Sequence, residues 1–169
     1  MDVDGARTLC TFQVWHLVRL HGIRAFPRDS CRILIQPCHG RKTYIAVCMD
    51  AVELQNGLRI STPMHMTLYR GVLRRPLTED VRAYIECNLL KCLCTGSWPV
   101  MLAGMRVDPP DNPHRMLMII HVHSRLHGRL LGVRNILFNK CNASSERRDN
   151  FHVSLDDFWV DEDFWEIVD

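Results

Sequence analysis

Apolar positions recur along this chain with two periods, and together they divide it into strands and helices. Residues 43–49 (TYIAVCM) are apolar and β-prone, which predicts a core strand. Gln55-Asn56-Gly57 marks a turn, after which Leu58-Arg59-Ile60 can pair nearby. Val81, Ile85, Leu89 and Cys92 recur at helical spacing, so 79–94 is predicted helical, with Thr78 as its cap and Glu79 and Asp80 in its first turn. Residues 99–107 and 115–122 read as strands joined by the turn DPPDNP over 108–113. A second stripe, Leu126, Leu130, Val133 and Leu137, predicts a helix from Ser124 to about Asn139. Residues 140–150 (KCNASSERRDN) form a polar loop. At the other end, 7–21 predicts a short helix with Leu9, Phe12, Trp15, Leu17, Val18 and Leu20 apolar and Gly22 as its stop. Residues 24–42, which contain Pro27, Pro37 and Gly40, read as a connection with one edge strand near 31–35. Helices of about four turns set between strands predict an α+β fold, small antiparallel sheets backed by helix.

Composition sharpens this picture in two places. The 169 residues, 47% of them hydrophobic, suffice for a sizeable core in a single domain. The formal charge of +2 conceals an asymmetry: seven of the 19 acidic residues lie in 156–169, where there is no Lys or Arg. Residues 1–155 therefore set 21 basic against 12 acidic side chains, a formal +9 that suits a polyanion as partner. The acidic tail carries Phe158, Trp159, Phe164 and Trp165 as anchors. No apolar run approaches the roughly 20 residues of a membrane span, and Asp2, Asp4 and Arg7 interrupt any apolar leader. The expectation is a soluble intracellular protein, cytoplasmic or nuclear and monomeric, with its eight cysteines as free thiols.

Two four-residue echoes carry the candidate chemistry: His65-Met66-Thr67-Leu68 and His152-Val153-Ser154-Leu155. Random placement of the same residues gives on the order of 0.1 occurrences of this pattern, so two are informative. On a strand, side chains at i and i+2 share a face, so each echo presents an imidazole beside a hydroxyl. Paired imidazoles suit acid–base chemistry because an unperturbed histidine, with a pKa of about 6.5, supplies both protonation states near neutrality. Hydroxyls donate to the oxygens on which charge accumulates in a transition state.

On these residues the stretch from Thr43 to Leu155 resembles the two-histidine (2H) phosphoesterases, the superfamily of RNA 2′,3′-cyclic phosphodiesterases and related RNA-processing enzymes. Tyr69-Arg70-Gly71 after the first echo is the most family-like stretch. The resemblance implies a bilobal domain over 43–155, two small antiparallel sheets with helices on their outer faces and a central cleft. Residues 1–42 would pack on this body as a helix and connection, and 156–169 would follow as the tail. It implies His65 and His152 as the catalytic pair, Thr67 and Ser154 as phosphate ligands, and a metal-independent phosphoesterase acting on an RNA 3′ end or a small nucleotide. Tyr69 is a candidate for stacking on a base. Three departures stand out: the span from Met49 to His65 is short for the family's helix, the second motif carries serine, and Asp156-Asp157 follow it.

Two other classes compete with this one. His121, His123 and His127, with Cys92, Cys94, Cys38 and His39, are compact enough to suggest zinc, but no second matched Cys-x2–4-Cys pair accompanies them, so no metal or other cofactor is expected. The alternative function is a catalytically silent module that binds a nucleotide or RNA through the same cleft.

Overall fold

The computed structural model describes residues 11–94, 101–107, 116–121, 124–145 and 151–155. Leu9, the turn over 108–113, His123, Asp156-Asp157 and the aromatic anchors of the tail lie outside the described residues.

The elements follow in the order α1 (Thr11–His21), β1 (Ile23–Ala25), a 3-10 turn (Arg28–Ser30), β2 (Cys31–Pro37), β3 (Thr43–Leu54), β4 (Arg59–Gly71), α2 (Glu79–Cys94), β5 (Met101–Val107), β6 (Met116–His121), α3 (Ser124–Cys141) and β7 (His152–Leu155). The fold is α+β. The strands among the described residues join one antiparallel seven-stranded sheet in the order β1-β3-β4-β7-β6-β5, with β2 also paired to β3. The sequence suggests two sheets; in the structure the four-residue β7 hydrogen-bonds to β4 on one edge and β6 on the other, and so joins them.

The connection expected over 24–42 is more ordered than its prolines suggest. β2 pairs with β3 along its whole length, from Cys31↔Met49 to Pro37↔Thr43, so a boundary at residue 42 cuts through a hairpin. Pro37 ends the strand, where an edge proline is tolerated. The two expected short segments around Pro63 are likewise one strand, β4. Its register against β3 shifts between Met49↔Met64 and Ala51↔Ser61, leaving Thr62 and Pro63 opposite the single residue Asp50. A bulge of this kind is where a strand accommodates a residue that cannot donate to the ladder.

Much of the core lies on one face of the sheet, with α2 and α3. Ile45, Val47 and Met49 of β3, Met64 and Met66 of β4 and Val153 of β7 belong to a single buried cluster with Ile85, Leu89 and Leu93 of α2 and Leu130, Val133 and Leu137 of α3. The α2 stripe falls as its spacing requires, and Thr78 caps the helix by accepting from the Val81 N–H at 3.3 Å. Among the described side chains of α1, Val14 and Val18 are buried and Leu20 is exposed. The loop after α3 starts as a fixed structure: the Ser144 N–H donates to the Val72 carbonyl and the Val72 N–H to Ser144 Oγ, both at 2.8–2.9 Å.

Candidate active site

Alternation along β4 sorts the first echo. Met66 joins the core with Met64, while His65 and Thr67 project to the opposite face. Along β7 Val153 joins the core, which sends His152 and Ser154 to that same opposite face. The two strands are antiparallel neighbours, with His65 paired across to Ser154 and Met64 to Leu155. His152 is then the diagonal neighbour of His65, a placement that separates Cα atoms by roughly 7–8 Å in regular sheets. Thr67, two residues on from His65, occupies the remaining corner. The imidazoles therefore take one diagonal of a four-cornered patch and the hydroxyls the other.

Two bulges frame the β4 half of this patch. One is at Thr62-Pro63; the other lies between Ala46↔Thr67 and Ile45↔Tyr69, where Leu68 is the extra residue. Bulges bend a strand and re-aim its side chains, and only three residues, Met64, His65 and Met66, separate Pro63 from Thr67. The β7 half is anchored from below. Phe151, just ahead of the strand, is buried with the Arg134 guanidinium 5.0 Å from its ring centroid and the His127 ring at 5.1 Å.

The site is enclosed. His65 is 1% exposed, Thr67 9% and Ser154 0%, while His152 is only half-buried. Thr67 Oγ1 lies 2.9 Å from the hydroxyl of Tyr44, which is itself buried on β3. Ser154 Oγ, by contrast, has no hydrogen-bond partner among the described residues. A fully buried hydroxyl left in that state costs free energy, and a ligand oxygen or water at the site would relieve it. On the same face, the register carries the row His65–Ser154 outward through Cys48 to Arg32, which is paired with Asp50 at 2.8 Å.

Tyr69 requires a correction. It is fully buried, its ring meets Phe138 of α3 edge-on at 6.1 Å, and its hydroxyl donates to the Ser144 carbonyl at 2.9 Å. The bulge at Leu68 breaks the alternation that put Tyr69 beside His65 and Thr67, so the ring stands in the core with no face open to a base. Tyr44 is the residue that sequence reasoning missed. It stands in a segment that reads only as a core strand, and its proximity to Thr67 is set by the β3–β4 register.

Among the described residues, no group of three or more His, Cys, Asp or Glu is placed to hold a metal ion. His121 is the register partner of His152, and His127 packs on Phe151. The cysteines among the described residues are free thiols. Cys31 of β2 and Cys94 of α2 lie 3.8 Å apart. Burial, reinforced by the neighbouring Cys94 thiol, pushes the Cys31 thiol up to about 12.

No protein-family model, curated protein or solved structure matches this chain. No described helix is long and apolar enough to cross a membrane.

Proposed function

We propose that the chain is a metal-independent 2H-type phosphoesterase that opens a 2′,3′-cyclic phosphate, or a related phosphodiester, of an RNA 3′ end or a nucleotide. The observation that carries the reading is the antiparallel pairing of the two echoes, His65 against Ser154, which sets two imidazoles on one diagonal and two hydroxyls on the other. An in-line displacement at phosphorus needs a base and an acid on opposite sides of the reacting centre, and diagonal imidazoles meet that demand. His152, the more open of the two, takes a proton from the attacking water. As the new P–O bond forms, the bond to the ribose oxygen breaks, and protonated His65 gives that oxygen its proton. Thr67 and Ser154 donate to the non-bridging oxygens, where transition-state charge collects. In this reading the strands on either side of the β4–β7 seam are two lobes around a cleft.

The test uses the whole chain and an RNA oligonucleotide ending in a 2′,3′-cyclic phosphate, with chelator present. Turnover is expected, with a bell-shaped pH dependence from one neutral and one protonated imidazole. His65→Ala and His152→Ala should each abolish it while the far-UV circular dichroism stays unchanged. Full activity in both variants would sink the mechanism.

One observation favours a second reading, a catalytically silent nucleotide- or RNA-binding module on the same face. His65 and Ser154 are almost wholly enclosed, so a phosphate reaches them only if the site opens. Saturable binding of a nucleoside 2′- or 3′-monophosphate without turnover of any cyclic phosphate would select the module.

A further inference from the structure

The two hydroxyl corners of the patch are not equivalent. Thr67 Oγ1 has a buried phenol 2.9 Å away, whereas Ser154 Oγ has no hydrogen-bond partner among the described residues. Tyr44 is 4% exposed and arrives from the neighbouring strand, two residues before Ala46, the register partner of Thr67. Its ring therefore reaches across to β4, where the hydroxyl meets Thr67.

Two hydroxyls at this separation share one hydrogen bond, and either could be the donor. Chemistry selects the phenol. A phenol O–H is far more acidic than an aliphatic O–H and so is the better donor, while the alcohol oxygen is the better acceptor. When Tyr44 donates, a lone pair of Thr67 Oγ1 is occupied and the threonine's own proton is turned away from the phenol, into the patch. An anionic oxygen accepting that proton then completes a chain, phenol to threonine to phosphate, in which each hydrogen bond polarises the next.

We infer that Tyr44 is a positioning residue for phosphate binding: it fixes the Thr67 hydroxyl as a donor to a non-bridging phosphate oxygen, giving the β4 side of the site a relay that the β7 side lacks. This rests on the phosphoesterase reading for its substrate but not for its geometry. Because the relay strengthens as charge builds on the phosphate oxygens, it should act more on kcat than on KM.

The experiment is a double-mutant cycle with Tyr44→Phe and Thr67→Ala, alone and together, on turnover of a nucleoside 2′,3′-cyclic monophosphate. Tyr44→Phe removes one oxygen and keeps the ring, so a gross packing defect is not expected, and thermal melting of each variant checks the fold. Loss of one neutral hydrogen bond predicts a fall in kcat of about five- to tenfold for Tyr44→Phe. The same change should have almost no further effect on Thr67→Ala, because the group through which Tyr44 acts is gone. Equal losses in both backgrounds would mean that the phenol supports the sheet rather than the hydroxyl, and would overturn the inference. The same cycle is read on affinity for inorganic phosphate. Phosphate binding that Tyr44→Phe weakens only when Thr67 is present, in a protein that turns nothing over, upholds the relay and rejects the enzyme. A chain that neither binds phosphate nor turns over substrate rejects both.

Discussion

At the scale of the residue, adjacent positions in one motif have opposite fates. His65 and Thr67 stand on the site face, while Tyr69, two positions further on, is turned into the core by the extra residue Leu68. The same precision holds at Phe151. Its buried ring packs near Arg134 and His127 immediately before His152 and anchors the start of β7. Phe151→Ala removes a buried aromatic and should lower stability by about 3 kcal/mol, read from the midpoint of urea unfolding. Cys31 makes a pH prediction. Its thiol has a folded pKa raised from 9.0 to about 12, so it stays protonated in the native state while the unfolded thiol ionises. The stability it contributes is fully present below about pH 9 and is lost as pH rises from there towards 12. Urea midpoints taken between neutral and alkaline pH should fall above 9, and fall less steeply in Cys31→Ala.

At the scale of the element, β4 is the strand on which the site depends, and its end is fixed as closely as its middle. Its last residue is Gly71, where a side chain has no room. A Cβ would meet the Tyr69 hydroxyl and would stand 2.6 Å from Ser144 Oγ, the pair of groups that ties β4 to the loop after α3. Gly71→Ala should therefore cost about 1–3 kcal/mol by overpacking. Amide exchange would show the loss as faster exchange at Val72 and Ser144, whose N–H groups make the tie. The helices needed no such detail. The 79–94 stripe and its threonine cap were legible because both arise from neighbours in sequence. The register of β4 was not legible, because its two bulges are defined only against β3.

At the scale of the whole molecule, the charge distribution bears on the partner. Residues 1–155 hold a formal +9, and a single-stranded RNA binding to that body would release counterions. The apparent KM for an oligonucleotide with a terminal cyclic phosphate should rise steeply with salt, while that for a cyclic mononucleotide should rise much less. Parallel salt dependences for the two would assign recognition to the terminal phosphate alone. The sheet bears on the proposed mechanism, because it places the echoes side by side. They are 87 residues apart in the chain, yet β7 hydrogen-bonds directly to β4.

The sequence by itself determined the α+β class, the two long helices and the two His-x-hydroxyl echoes. Each of these depends on local spacing: a period of 3.6 or 2, a cap, a turn. Only the tertiary structure decided that β7 joins the strands into one sheet, that His65 and His152 are diagonal neighbours, that Tyr69 belongs to the core and that Tyr44 meets Thr67. Those outcomes follow from strand register. A shift of one residue exchanges the two faces of a strand, and the hydrogen bonds that fix register join residues distant in the chain.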